Sequence, residues 1–296
     1  MNSLNSFLNR KTLFAFLGPG MVLIAVFLVF PAFWVLYLGL TDQALTGVKA
    51  VLPSFIGFKN FQFALGDSFF YNALKISFLF VLGSAWLGQA LLGLILALIL
   101  YELKGVWRNL VSGAAVLAWI IPEVVVAYLW IAFLDKDFGM LNQILSSLGV
   151  SRINWLYQHP VLSIVVFNAW RGTAFSLLLF SSALETIPPS FIESAKVMGA
   201  NIPQRFFHVI FPQIRAILLT DLILITLWTF NVFTPFLLTG GGPSFKSEIL
   251  PIYIWRTSFK YFKLGYGSSV SAILLLINFG FALLYLLAQR RRKRYA

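Results

Sequence analysis

Two long apolar segments of the chain are joined by Glu185–Arg215, whose sequence is ETIPPSFIESAKVMGANIPQRFFHVIFPQIR. The adjacent Pro188 and Pro189 end the preceding helix, because proline lacks an amide hydrogen and clashes with the preceding turn. Ser190 and Glu193 have the Ser-x-x-Glu spacing of a capping box, so a new helix is predicted to begin there. The segment is therefore predicted to hold a short helix outside the apolar stretches.

The predicted helix also has a clear end. Gly199 favours the left-handed conformation that commonly closes a helix, and Pro203 opposes its continuation. A helix of about two turns remains, followed by the amphipathic link Arg205–His208 and by Pro212. Such a projecting helix fits either of two roles, docking into a groove of another protein or lying on the lipid surface. These residues by themselves favour neither role.

The composition is typical of a membrane protein. Hydrophobic residues make up 59% of the 296 residues and charged residues 11%, whereas soluble domains carry roughly 25% charged residues. A membrane-spanning helix needs about 20 mostly apolar residues. The segments that qualify are Leu13–Leu40, Ile76–Leu100, Asn109–Leu134, Val161–Leu184, Ala216–Leu238 and Ser268–Ala288. The chain is therefore predicted to be an all-α polytopic membrane protein with six transmembrane helices.

Basic residues predict the orientation of these spans. The tail Arg290–Arg294 directly follows the last span, and Lys104 and Arg108 lie in a short connection. Lys and Arg are enriched in cytoplasmic connections, so both termini are predicted to be cytoplasmic, although the basic residues of Lys246–Lys263 oppose this bias. A basic tail beside a span is typical of a topology anchor at an anionic leaflet. The formal net charge of +12 therefore gives no reason to expect a nucleic-acid partner.

Several chemistries are excluded by residues that the sequence lacks. There is no cysteine and there are only two histidines, His159 and His208, so a metal site is not expected. The sequence has no G-x-x-x-x-G-K-[ST], H-E-x-x-H or G-x-S-x-G motif. The chain is therefore not expected to be an enzyme or to bind a cofactor directly. If its work depends on ATP, another polypeptide must bind the nucleotide.

The connection between the fourth and fifth spans resembles the EAA loop of binding-protein-dependent ABC importers. That pattern is Glu-Ala-Ala-x-x-x-Gly, with a hydrophobic-Pro pair further along. The matching residues are Glu193, Ser194, Ala195, Gly199, Ala200 and the pair Phe211-Pro212. Ser194 replaces the first Ala of the pattern, and Met198 replaces an Asp that often precedes the Gly. The resemblance implies that residues 185–215 form a coupling loop whose short cytoplasmic helix docks on an ATPase subunit.

Further segments resemble the carbohydrate-uptake branch of that family, the maltose and glycerol-phosphate type. They are Thr239–Pro243, Tyr253, Phe259, Gly265–Gly267, Gly139–Asn142, Asn154–Leu156 and the pair Trp170-Arg171. The resemblance therefore extends over nearly the whole chain and implies one permease domain over residues 1–296. It implies a sugar or sugar-like solute, meaning an oligosaccharide, a glycoside, a polyol or a glycerol phosphate. The implied location is the bacterial cytoplasmic (inner) membrane.

The same resemblance implies a set of partners. A second homologous permease would complete the path, and two ATPase subunits would bind ATP and Mg. An extracytoplasmic solute-binding protein would face the loops Asp135–His159 and Thr239–Lys263. The residues implied in coupling to the ATPase are Ser190, Glu193, Ser194, Ala195, Gly199 and Ala200. The alternative is a secondary transporter working without an ATPase, which would show internal repeats that this sequence lacks.

Three charged residues lie within the predicted spans: Glu123, Arg171 and Asp221. Charges at this depth are rare and face a bundle interior or a wet cavity. Neighbouring antiparallel spans place Glu123 and Arg171 at similar depth. Two hypotheses stay open for them: a structural ion pair, or polar groups that border the solute path. Asp221, which is close to Arg215, is interpreted as structural.

Other residues at mid-depth join the candidate path. Asn168 lies about one helical turn from Arg171, and Trp228 and Asn231 are three residues apart on one helix face. Sugar hydroxyls need paired donors and acceptors, and aromatic faces stack on sugar rings. Trp228 fits plain core or lipid-facing packing equally well. Pro235 is expected to kink the fifth span.

Overall fold

The structure is a computed structural model that describes residues 10–103 and 105–293, with side chains for residues 15–103 and 105–288. The described residues are helical, apart from turns, connections and an isolated bridge between Thr41 and Phe55. The predicted all-α class is thereby confirmed. The basic side chains of Arg290–Arg294 and Lys104, like both chain ends, lie outside this description. The predicted orientation of the spans therefore stays a prediction.

Seventeen α-helices are described. They are α1 (Arg10–Ile24), α2 (Phe30–Gly39), α3 (Val48–Val51), α4 (Lys59–Gly66), α5 (Ser68–Phe80), α6 (Leu91–Glu102), α7 (Val106–Ile120), α8 (Glu123–Phe133), α9 (Met140–Ser147), α10 (Trp155–Gln158), α11 (Pro160–Glu185), α12 (Pro189–Val197), α13 (Ile202–Arg205), α14 (Phe211–Asn231), α15 (Pro235–Thr239), α16 (Leu250–Trp255) and α17 (Leu264–Lys293). The π-helical stretches Ala25–Val29, Val81–Ala90, Phe206–Ile210 and Arg256–Lys260 continue four of these helices.

The described residues include five continuous helices that are long and apolar enough to cross a membrane, and one sharply bent helix pair that meets the same criteria when its two helices are taken together. The continuous helices are Ala15–Gly39, Ser68–Glu102, Pro160–Glu185, Ile202–Asn231 and Leu264–Ala288. The predicted third span Asn109–Leu134 is divided into α7 and α8, which meet at an angle of 104°. The polytopic architecture is confirmed, but the prediction of an unbroken third span was wrong.

Proline explains where the predicted spans were too long. Ile121 precedes Pro122 and adopts an extended ψ of 132°, because a residue before proline is pushed out of the helical region. The fifth span likewise ends at Asn231, seven residues before the predicted end at Leu238. Pro235 was expected to kink this span. It instead occupies the first turn of the separate helix α15.

The described chain forms two compact units, residues 10–67 with 254–275 and residues 68–253 with 276–293. In the first unit, the side-chain amide of Asn60 donates to the carbonyls of Gly39 and Thr41 at 3.0 and 2.7 Å. This contact fixes the end of the first span. No residue in the most apolar window of that span is buried. The first span packs within this unit at its end, where Gly39 lies against Ser269, while its apolar window is exposed in the described chain.

In the second unit, the second and fourth spans pack through small residues. The contacts are Gly83 against Val165, Gly88 against Ala169 and Gly93 against Leu177. The five-residue spacing of these glycines matches the i→i+5 hydrogen bonding of the π-helical stretch Val81–Ala90, in which the first two lie. Small residues let the two backbones approach closely, which is the main source of helix packing in a bilayer.

Gly93→Leu is expected to destabilise the membrane-embedded fold by on the order of 3 kcal/mol, because an added Cβ forces apart two packed backbones. Such a Cβ would lie 2.9 Å from the amide nitrogen of Leu177. Gly113→Leu is the matched control, since nothing lies within 4 Å of an added Cβ at that helical glycine. Fluorescence-detected size-exclusion chromatography after heating in detergent would give the melting temperature of each variant. Equal melting temperatures for the two variants would contradict this packing.

Candidate functional site

The short helix α12 begins earlier than predicted. Pro188 is its N-cap and Pro189 occupies the first turn, while no side chain accepts a capping hydrogen bond. The predicted capping box of Ser190 and Glu193 was therefore wrong. Proline at the first helical position is already preorganised for a helix and has no amide that needs a cap. Ser190 consequently lies inside the first turn.

A capping box does occur in the next helix, α13. The Oδ1 of Asn201 accepts from the amide of Gln204, and the Oε1 of Gln204 accepts from the amide of Asn201, both at 2.9 Å. The Asn-x-x-Gln spacing in the sequence is the signal that could have predicted it. It fixes where the chain turns back towards the fifth span.

Gly199 ends α12 as predicted. Its φ is +79°, in the left-handed region that favours glycine. The amide of Ala200 donates to the carbonyl of Ala195 at 3.0 Å, which is the bond that closes a Schellman motif. Nothing in the described chain lies within 4 Å of a Cβ added at Gly199. The backbone angles at position 199 therefore favour glycine, although a side chain there would meet no steric obstacle in the described chain.

The two faces of α12 have different environments. Ile192 and Ala195 are buried, and Ile192 belongs to a core of the second, fourth and fifth spans. That core is formed by Ala97, Leu100, Leu177, Phe180, Ala183, Leu184, Ile187, Ile192 and Ile214. On the other face, Val197 and Met198 are 89% and 80% exposed. One face of the helix is thus packed against its own subunit, and the other face is exposed.

Glu193 and Ser194 lie on the exposed part of α12. Within the described residues, no hydrogen bond or ion pair engages the Glu193 carboxylate. The nearby exposed ion pair is formed instead by Arg108 and Glu185, where α7 begins and α11 ends. The Glu193 carboxylate is therefore available to a basic group from outside this chain.

The two charged residues Glu123 and Arg171, for which an ion pair was one of two hypotheses, lie close together in the structure. The Arg171 Nη1 lies 3.5 Å from the Glu123 Oε1, and the two side chains are 24% and 30% exposed. Glu123 is the first residue of α8, directly after the break at Pro122, so the bend of the third span turns its carboxylate towards α11. At 3.5 Å the contact is an ion pair without a short hydrogen bond. The Glu123 Oε1 and the Arg171 Nε have no hydrogen-bond partner among the described residues.

An aromatic row lies beside this ion pair. Phe175 is one helical turn along α11 from Arg171. Its ring centroid is 4.8 Å from that of Trp228 on α14 and 5.6 Å from that of Trp119 on α7. Trp228 is half exposed and Trp119 is also exposed, so the row is an accessible surface of the isolated subunit. Trp119 and Phe175 could not be predicted from the sequence, because their alignment depends on the break between α7 and α8.

The two predicted asparagines have different environments. Asn168 is 6% exposed, and its amide donates to the Ser84 Oγ at 2.8 Å, tying the fourth span to the second. Asn231 is exposed, and its Oδ1 accepts from the amide of Asn278 on α17 at 3.2 Å. Asn278 was not predicted, since a single polar residue in the last span gave no indication of its partner.

Asp221 has the structural environment that was expected, with a different partner. It is fully buried, and both carboxylate oxygens lie 3.0 Å from the Ser176 Oγ on α11. Arg215, which was considered because of its proximity, is exposed. Asp221 and Ser176 therefore join the fourth and fifth spans.

A cavity of about 740 Å³ lies between the second span, α7 and α11. Trp130, Trp170 and aliphatic residues form most of its wall. The wall also includes Thr173, whose hydroxyl donates to the carbonyl of Ala169 at 2.6 Å. The wall of this cavity is mostly apolar. The exposed face with Glu123 and Arg171 is therefore the stronger candidate site.

The loop after α15 is held in an unusual conformation. Gly240, Gly241, Ser244 and Phe245 all have positive φ angles. The carbonyl of Phe245 accepts from the amide of Asn72 at 2.9 Å. Ser247 donates to Thr239 and Gly242, so the glycine-rich segment quoted above is tied at both ends. The loop presents a defined shape.

The loop after α8 is organised by Asn142. Its Nδ2 donates to the carbonyls of Asp135, Lys136 and Ile153, and its Oδ1 accepts from the Trp155 Nε1. The Asp135 carboxylate accepts from two backbone amides, first that of Phe138 and then that of Asp137, which lowers its pKa. The Gly139–Asn142 and Asn154–Leu156 segments thus build the loop.

Comparison with known proteins agrees with this arrangement. The family described as the inner membrane component of binding-protein-dependent transport systems matches residues 89–294. The chain belongs to this family. The match includes α12, the broken span and the polar face, and it makes the chain a multi-pass permease component of the inner membrane.

Relatives of this permease component cover almost its full length. The trehalose/maltose transport system permease protein of Thermococcus litoralis is 31% identical over 287 residues, covering 93% of this chain and 92% of that protein. The sulfoquinovosyl glycerol transport system permease protein of Agrobacterium fabrum is 27% identical, covering 91% and 87%. A solved bacterial ABC transporter involved in the import of alginate shares the fold, with a TM-score of 0.78, 22% identity and 99% coverage of both chains.

Proposed function

We propose that this permease component works in an ATP-driven, binding-protein-dependent importer of a sugar or sugar-like solute. The transported compounds named for its relatives include trehalose, maltose, sulfoquinovosyl glycerol and sn-glycerol 3-phosphate. Each carries several hydroxyl groups or is built on a polyol. The chain itself supplies no ATP-binding motif, so ATP and Mg belong to a separate ATPase and the permease has no catalytic role.

The two-faced helix α12 is the observation that supports this proposal best. Part of its apolar surface is used within the subunit, because Ile192 and Ala195 are buried, while Phe191 is exposed. An interfacial helix would instead keep its apolar face for lipid. The exposed surface of Glu193, Val197 and Met198 is small, mixed in polarity and projects from a rigid core, as suits insertion into a groove of an ATPase subunit.

Ile192 suggests how the movement of an ATPase would reach the solute path. It packs in one cluster with Leu100, Leu184 and Ile214 of the second, fourth and fifth spans. Packed cores move as units and do not deform continuously. A displacement of α12 would therefore move the fourth and fifth spans, which carry Arg171, Phe175 and Trp228, and would produce alternating access.

Two further partners follow from exposed surfaces. The polar face of Glu123 and Arg171 would be costly against lipid. A second homologous permease would cover this face and complete the path. The shaped loops Asp135–His159 and Thr239–Lys263 would receive an extracytoplasmic solute-binding protein, with both chain termini in the cytoplasm.

Val197→Asp is expected to reduce retention of the ATPase subunits by at least about tenfold, because it places a charge in the centre of the docking surface. The complex would be co-expressed with its ATPase, purified through the permease and compared by quantitative immunoblotting. Val106→Asp is the control, since Val106 is 70% exposed and begins α7, outside the coupling loop. A permease that never retains an ATPase would favour a secondary transporter.

A further inference from the structure

A further cavity, of about 350 Å³, lies between the end of the second span and the coupling loop. Its largely apolar wall includes Leu98 of α6, Ile192 of α12 and Phe207 of the π-helical stretch that follows α13. Two charged side chains, Glu102 and Arg205, line the same cavity. The cavity therefore combines an apolar wall with one anion and one cation.

These two charges are not used within the described chain. Among the described residues, neither the Glu102 carboxylate nor the Arg205 guanidinium forms a hydrogen bond or an ion pair, and they do not bind each other. Glu102 is exposed, whereas Arg205 is half-buried and has lost part of its hydration. A partly buried cation is stabilised by binding an anion. Both groups are available to a ligand from outside the chain.

The cavity lies where two spans reach the surface of the membrane. Glu102 is the last residue of the second span, and Arg205 lies in the first turn of the helix that forms the fifth span. Beside them, Ile202 and Phe207 are 73% and 61% exposed. Exposed apolar and aromatic side chains next to charges are typical of the boundary between hydrocarbon and headgroups. A lipid is therefore the ligand that suits both the apolar wall and the charges.

The two charges restrict the headgroup of that lipid. A phosphate diester accepts hydrogen bonds from the Arg205 guanidinium, and a primary ammonium donates to the Glu102 carboxylate. A headgroup with a phosphate and no amine would bring a second anion to Glu102, and a choline headgroup has no N–H to donate. We propose that this cavity binds one phospholipid of the cytoplasmic leaflet whose headgroup carries both a phosphate and a primary ammonium, as in phosphatidylethanolamine.

The lipid and the ATPase would use different surfaces of the coupling loop. The cytoplasmic leaflet rests on the proposed function, because it follows from the docking of α12 on an ATPase. Val197 and Met198, which are offered to that ATPase, do not line the cavity. Ile192 lines it, so the lipid would contact α12 on its buried face.

Native mass spectrometry of the purified importer complex tests this site with two phospholipids that have identical acyl chains. Phosphatidylethanolamine and phosphatidylcholine differ only in the three N-methyl groups of the latter. We expect at least about tenfold tighter binding of phosphatidylethanolamine. Glu102→Gln should lower this preference to less than about twofold, and Arg205→Gln should weaken the binding of both lipids. Asp137→Asn, which neutralises an exposed carboxylate in the loop after α8, is the matched control and should leave the preference unchanged.

Three results would overturn the proposal. They are equal binding of the two lipids by the unmodified complex, an unchanged preference in Glu102→Gln, and tighter binding of phosphatidylglycerol, which lacks an amine, than of phosphatidylethanolamine. Glu102 and Asp137 are both exposed, so neither substitution removes a buried contact and both variants should fold. Failure of the proposed function would appear separately, as a permease that retains no ATPase while its lipid preference is unchanged.

Discussion

Gly199→Asp is expected to abolish solute uptake while the permease still inserts into the membrane. The residue has a φ of +79°, and an added Cβ costs roughly 1 kcal/mol in this conformation. That strain is too small to unfold the protein. The larger effect arises outside the chain, because the new carboxylate stands at the open end of α12, beside the surface offered to the ATPase. Uptake of labelled solute and ATPase retention would be measured in the same membranes.

Two controls separate strain from docking. Gly149→Asp is the matched control, because Gly149 closes α9 with a φ of +82°, has open space around an added Cβ and lies outside the coupling loop. It is expected to leave retention of the ATPase unchanged. Gly199→Asn keeps the size of aspartate, removes the charge and tolerates the left-handed region, so partial uptake is expected. Normal transport by Gly199→Asp would refute a coupling role for this turn.

Arg171→Gln and Glu123→Gln are each expected to lower uptake of a neutral solute by at least about tenfold. Each variant leaves one charge unpaired within the membrane. The loss of stability should be on the order of 1–2 kcal/mol, because both side chains remain partly exposed. Melting of the detergent-solubilised complex and initial uptake rates would be measured in parallel.

The double variant Arg171→Gln/Glu123→Gln decides between the two hypotheses for this pair. If the pair is only structural, removing both charges restores stability and uptake together. If the two groups contact the solute, stability returns while uptake stays low, and this is the expected result. Full recovery of uptake in the double variant would assign the pair to packing alone.

Hydropathy and proline placement account for how far the fold could be predicted. Apolar length located the five continuous spans and the bent helix pair, because a bilayer requires such length whatever the tertiary contacts are. Hydropathy does not sense backbone conformation, so the break at Ile121-Pro122 was missed although the proline was visible. The start of α12 was also mispredicted. A cap was expected at Ser190, but the helix already begins at Pro189. Gly199 was predicted well, since a left-handed turn depends on local chemistry alone.

The candidate site was only partly predictable, for a physical reason. The pairing of Glu123 with Arg171 followed from the cost of an unpaired charge in a membrane. Asn278, Trp119 and Phe175 were missed, because their roles depend on which helix faces meet. Asn168 was placed near Arg171 by spacing, yet its side chain points into the contact with Ser84. Spacing gives the neighbours of a residue along one helix but not the helix that it faces.

The central claim is that α12 carries the contact with an ATPase subunit, and site-specific cross-linking tests it most directly. The chain has no cysteine, so Val197→Cys introduces a single reactive thiol on an exposed side chain. Leu148→Cys places a matched thiol in the loop after α9, predicted to be extracytoplasmic. A short bifunctional reagent should join position 197, and not position 148, to the ATPase. The absence of any adduct at 197 in an importer that still transports would contradict the account.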